Sequence, residues 1–139
     1  MPEKKTLKKA RAAKRAGKSP TTQAGVFVHE EIEHVREGKH GARSAKQAIA
    51  IGLSKARRAG IKLPPPPRSA KASTRRSAAA ASRAGRHHTK PSAKRSRAMS
   101  RALKREPKNT VSTKALSRQA KSTAPRRRRV RKARANARA

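Results

Sequence analysis

Lysine and arginine outnumber glutamate by 35 in this chain, 41 against six, and there is no aspartate. This surplus constrains folding more than any other feature, because every compact arrangement brings like charges together. The apolar material available to offset it is thin. Phe27 is the only aromatic residue, and the 32% of hydrophobic residues is largely alanine, which buries little area per side chain. At 139 residues the length suits one small domain. Few large apolar groups and high net charge predict that much of the chain does not order by itself.

Charge divides the chain into three parts. Residues 1–18 carry eight basic residues and one acid, residues 19–63 eight and four, and residues 64–139 twenty-five and one. The expected organisation is a basic N-terminal arm (1–18), a helical hairpin domain (19–63), and a disordered Lys/Arg/Ala/Ser-rich tail (64–139). The fold class is mostly α, a small two-helix hairpin flanked by largely disordered or conditionally helical cationic arms.

The hairpin is the best specified part. Ser19 followed by Pro20 reads as an N-cap and first helical position. Ala24, Phe27, Val28, Ile32 and Val35 then recur at helical spacing, and Gly38 ends the helix. Glu30, Glu31, Glu33 and Glu37 sit mid-helix and late, where the macrodipole disfavours them, so partners explain them better than local stability. A second helix begins at Ser44, with Gln47 placed for a capping box. Ala48, Ile49, Gly52, Leu53 and Ala56 form its stripe, and Gly60 with Ile61 fits a Schellman ending. The run Pro64–Pro67 is a stiff spacer. About ten apolar side chains at roughly 1.5–3 kcal/mol each do not clearly offset about 1.5 kcal/mol of ordering per residue. The hairpin is therefore expected to need a homodimer partner, a docked arm or DNA.

Elsewhere the order is local. Lys4–Ala16 is rich in helix formers with Leu7 as its one large apolar residue, so helix is expected against phosphate, with Gly17 as the stop. The tail is low in complexity, with weak helices expected near 93–106 and 112–122.

The predicted partner is a polyanion. Duplex DNA carries a charge every ~1.7 Å, so 35 charges match about 60 Å of duplex. Candidate phosphate contacts are Lys4, Lys5, Lys8, Lys9, Arg11, Lys14 and Arg15 on the first arm. Lys46, Lys55, Arg57 and Arg58 are candidates on the hairpin, and Arg126, Arg127, Arg128, Arg129, Arg131 and Lys132 on the last. Base-reading RNA modules stack bases on aromatic rings, which one phenylalanine does not supply. Duplex DNA is thus favoured, with RNA or ribosome association as the alternative and a nucleic-acid-anchored protein adaptor as a third reading. A helix-turn-helix reading would send residues 44–59 into the major groove with Gln47 at a base. The helix start is poor in base-reading side chains, so the hairpin reads better as a packing or dimerisation unit.

Chemistry is not expected. The absence of cysteine removes disulfides, thiolates and Cys-type zinc sites, and the absence of aspartate removes a Ser-His-Asp triad. The segment HEEIEH places His29 and His34 five residues apart, about 140° around a helix, where a zinc pair needs four. No enzyme activity, cofactor or metal is predicted. The longest apolar stretch, Ala48–Leu53, is far short of the ~20 residues of a membrane span, and no secretory leader is evident.

The segment KQAIAIGLSKAR at Lys46–Arg57, preceded by GVFVHEEIEHVREGKHGARS at Gly25–Ser44, resembles a group of small basic bacterial proteins. These contain a short domain of unknown function with a Gln-Ala-Ile-Ala-Ile-x-Leu-Ser core after a Glu-rich helix. The resemblance covers less than a third of the chain and implies bacterial origin and no assigned catalytic residue. The tails are similar in composition to linker-histone tails and bacterial histone-like proteins. Together these imply a cytoplasmic, nucleoid-associated protein that binds and compacts DNA with little sequence preference.

Overall fold

A computed structural model describes residues 2–138, apart from the side chains at 125–127 and 130. Among the described residues there are six helices and no strand: α1 (Lys4–Arg15), α2 (Pro20–Arg36), α3 (Ala45–Arg58), α4 (Ala72–His87), α5 (Ala93–Arg105) and α6 (Thr113–Arg138).

The ends of the first three helices follow from local chemistry. The Ser19 hydroxyl accepts from the Thr22 amide at 3.3 Å ahead of Pro20. Ser44 does the same for the Gln47 amide at 3.2 Å. The reciprocal half of the expected capping box is shifted, because the Gln47 side chain accepts from the Arg43 amide, one residue before the cap. Each of the three helices closes in a Schellman pair at a left-handed glycine, as in Gly60 N–H to Arg57 O and Ile61 N–H to Ala56 O; only glycine adopts that backbone without strain. Replacing Ser44 by alanine should cost about 1 kcal/mol, read as a lower urea midpoint. An unchanged midpoint would mean that docking alone starts α3.

The two-helix hairpin forms, but it is not the whole unit. α3 contacts α2, α4 and α6, and α1 lies on α2. The flanks, expected to be largely disordered or conditionally helical, therefore contain four helices, three of which (α1, α4 and α6) pack on the hairpin. The reason is the composition of the interfaces. Fully buried positions are mainly alanines, Ala24, Ala48, Ala56 and Ala81 among them, while Val28, Ile32, Ile49 and Leu53 are only half-buried. Small residues let helix axes approach closely, and the branched side chains close the margins. At Gly52 an added Cβ would fall 2.6 Å from the Val28 Cα, so the α2–α3 crossing admits nothing larger.

Two apolar clusters result. One joins Phe27, Ala24, Ala10 and Ala56, flanked by Leu7, Leu53, Ile61 and Leu63. The other joins Val35, Ala42, Ala48 and Val111, flanked by Ile32. Leu7 and Ala10 are contributions of α1, and Val111 comes from the link between α5 and α6. That link is pinned by backbone bonds from Gly41 to Leu103 (2.8 Å) and Ala42 to Pro107 (2.9 Å), and by the Thr110 hydroxyl on the Ala42 carbonyl (2.7 Å). Of the partners expected for the hairpin, the docked arm is present in the chain. α5 itself buries no residue and leaves Met99 exposed.

Candidate nucleic-acid interface

The helices sort the charges. On α1, Thr6 and Ala10 face the core with Leu7 and Ala13 beside them, and Lys4, Lys5, Lys8, Lys9, Arg11, Lys14 and Arg15 are all exposed. This stripe spans 12 residues, or about 18 Å of axis, a length over which duplex DNA presents about ten phosphates. Arg128, Arg129, Arg131 and Lys132 are exposed on α6, while the Arg126 and Arg127 side chains lie outside the described residues. Lys46 and Arg58 are exposed on α3.

Two of the expected phosphate contacts are engaged elsewhere. The Lys55 ammonium pairs with the Glu31 carboxylate across the hairpin. Arg57 is buried, and its Nη2 donates to the Pro64 carbonyl at 2.7 Å, tying the polyproline run to α3. Burial pushes the Arg57 guanidinium below its ordinary pKa, yet arginine stays charged. The helix-turn-helix reading gains little from the geometry. With α2, α4 and α6 against it, α3 is the central helix and exposes only Lys46, Ala50 and Arg58 of its residues.

Sequence reasoning missed a cationic feature of the tail. A cleft of about 360 Å³ between the proline run and α4 is lined by Arg57, Arg75, Arg83 and Arg86 and by no acid. The signal was present as arginines at positions 75, 83 and 86, which share one face of a helix. It was hidden by reading the alanine- and serine-rich segment as low complexity.

The acids gather at the other end. Glu3, Glu30, Glu33 and Glu37 line a second cleft with His29 and His34, and Glu31 is fully buried beside it. The mid-helix glutamates have intramolecular partners. Glu30 accepts from the Glu3 amide at 2.7 Å, anchoring the start of α1, and Glu31 binds Lys55. Glu3 Oε1 meets His34 Nε2 at 3.1 Å and Lys39 Nζ at 3.4 Å. These hydrogen bonds, that of His34 foremost, hold the Glu3 carboxyl below its usual pKa. Lys39 is in turn held above its own by the Glu37 carboxylate, 3.2 Å away. Among the described residues, only Arg36, Lys39 and Lys55 of the lysines and arginines form ion pairs.

Residues 5–67 match a family of unknown function, DUF6496. The match runs from α1 through the proline spacer and so includes the segment that resembles a short domain of unknown function. No curated protein and no solved structure matches the chain. None of the helices among the described residues is long and apolar enough to cross a membrane.

Proposed function

We propose that the protein is a non-enzymatic, largely sequence-independent binder of duplex DNA that coats and compacts it in the manner of a histone-like nucleoid protein. One observation carries this reading: among the described side chains, every lysine and arginine except Lys55 and Arg57 is exposed. Such a surface repels itself, and phosphate relieves the repulsion while releasing condensed counterions. Phosphate contacts position a protein on DNA without reading sequence. Phe27, the one Phe, Tyr or Trp ring of the chain, is fully buried, which leaves single strands and splayed RNA loops only histidine rings on which to stack.

The test is binding of labelled duplexes of several sequences across a salt series. A label is needed because the chain has no Trp or Tyr. With six to ten phosphates contacted, affinity should fall about 10³–10⁵-fold between 50 and 200 mM salt and vary little among sequences. A flat salt response, a strong preference for one site, or tighter binding to folded RNA at equal salt would each overturn the reading.

A further inference from the structure

We infer that Glu31, His34 and His40 form a binding site for one divalent transition-metal cation of the zinc type. Their donor atoms lie within 4.8 Å of one another, although His34 and Glu31 are on α2 and His40 is in the turn that follows. The hydrogen-bond partners of the two imidazoles make this a site.

His34 presents Nε2 to the Glu3 carboxylate at 3.1 Å, and an ionised carboxylate only accepts. His40 presents Nδ1 to the Gly41 carbonyl at 2.9 Å, which also only accepts. In its neutral form each ring therefore carries its proton on the outward nitrogen. The inward nitrogens, His34 Nδ1 and His40 Nε2, are then lone pairs that lie beside Glu31. They stand 3.7 Å from Oε1 and 3.1 Å from Oε2 respectively.

Glu31 is fully buried, and its Oε2 has no hydrogen-bond partner; the His40 contact is close enough for one but wrongly directed. A lone pair facing an unpartnered buried carboxylate oxygen is repulsive, and a cation placed among the three groups turns the repulsion into coordination. Tetrahedral zinc, at about 2.0–2.1 Å from nitrogen and oxygen ligands, separates its ligands by roughly the His40–Glu31 spacing.

The outer shell is also present. Metal-bound histidines donate their second N–H to a carboxylate or a backbone carbonyl, and ligating carboxylates are themselves hydrogen-bonded. Glu3, the Gly41 carbonyl and Lys55 fill those three roles. Two histidines and one glutamate leave a fourth position to water. Five of the six glutamates are at this end of the molecule, where they offset the cations Lys5, Lys9 and Lys39 of the neighbouring cleft and Lys55 on Glu31. His29, the other histidine of HEEIEH, is exposed and takes no part.

The full-length chain, free of nucleic acid, is titrated with Zn²⁺ by calorimetry and with Co²⁺ by visible absorption, so the result does not depend on DNA binding. One equivalent should bind, with cobalt giving the intense bands of a low-coordinate site that zinc then abolishes. Changing both His34→Ala and His40→Ala should weaken binding by about a hundredfold or more, and Glu3→Gln by about tenfold. His87→Ala with His88→Ala should leave binding unchanged. If the double variant does not fold, nitrogen-15 histidine spectra of the wild type decide, with zinc-induced shifts expected at His34 Nδ1 and His40 Nε2. No saturable uptake by the wild type, binding that survives loss of both histidines, or shifts confined to His29, His87 and His88 would overturn the assignment.

Discussion

Replacing Phe27 by alanine should cost about 3–5 kcal/mol and leave the chain largely unfolded at room temperature. Phe27 is the largest fully buried side chain, and the other buried residues of its cluster are small: Ala10, Ala24 and Ala56. Those alanines have little length with which to move into the space, so any collapse around the lost ring falls to the marginal Leu7, Leu53, Ile61 and Leu63. Small domains hold about 5–15 kcal/mol in total, and a charge-burdened one belongs near the bottom of that range. Far-ultraviolet circular dichroism during a urea titration is the measurement, since the chain lacks the chromophores for intrinsic fluorescence. A loss below about 1 kcal/mol would mean that the alanine-to-alanine contacts between helices, rather than the ring, hold this cluster. Because α1 supplies Leu7 and Ala10 to it, the same substitution should release α1.

Neutralising the seven cations of α1 with glutamine should make the salt dependence of DNA binding shallower by up to about six in the slope of log affinity against log salt. Each phosphate contact contributes about 0.9. Glutamine keeps helix propensity and leaves Thr6, Leu7 and Ala10 to dock on α2, so the fold should persist. The useful contrast is Arg57→Met. Arg57 is turned inward onto the Pro64 carbonyl, so its loss should lower stability while leaving the slope where it was. A wild-type slope in the α1 variant would remove that helix from the interface. An altered slope in Arg57→Met would mean that the buried guanidinium reaches phosphate after all.

The parts of the fold legible in the sequence were those decided within a few residues. Ser19-Pro20 and Ser44 announce helix starts through side chains that cap amides three positions on. Gly17, Gly38 and Gly60 announce stops through a backbone conformation other residues resist. What escaped is packing by residues without a hydropathy signal. α4 docks on α3 through Ala81 and Gly85, neither of which stands out in an alanine-, serine- and arginine-rich stretch. Val111, just ahead of the weak helix expected near 112–122, is a core residue, because three hydrogen bonds draw its segment onto the α2–α3 turn.

The same asymmetry holds for the sites. An overall excess of positive charge is a property of composition and can be counted. Which cations are occupied by the protein itself depends on contacts spanning 24 residues for Lys55 and seven for Arg57. The histidine pair was overlooked for a geometric reason. HEEIEH directs attention along α2, from His34 back to His29, whereas the fold directs His34 forward across Gly38 to His40. No helical spacing rule covers two residues on opposite sides of a chain reversal.

The clasp of residues 103–111 over the α2–α3 turn has a practical consequence for anyone who trims this polypeptide. The family match stops at residue 67, and a fragment cut there would look like a tidy module on paper. It would lack the valine plug of its second cluster, leaving Val35, Ala42 and Ala48 open to solvent, and it would bare the flank of α3 that α4 shelters. Such a fragment would be a sticky, half-built bundle, and its behaviour in a binding assay would report the wound more than the protein.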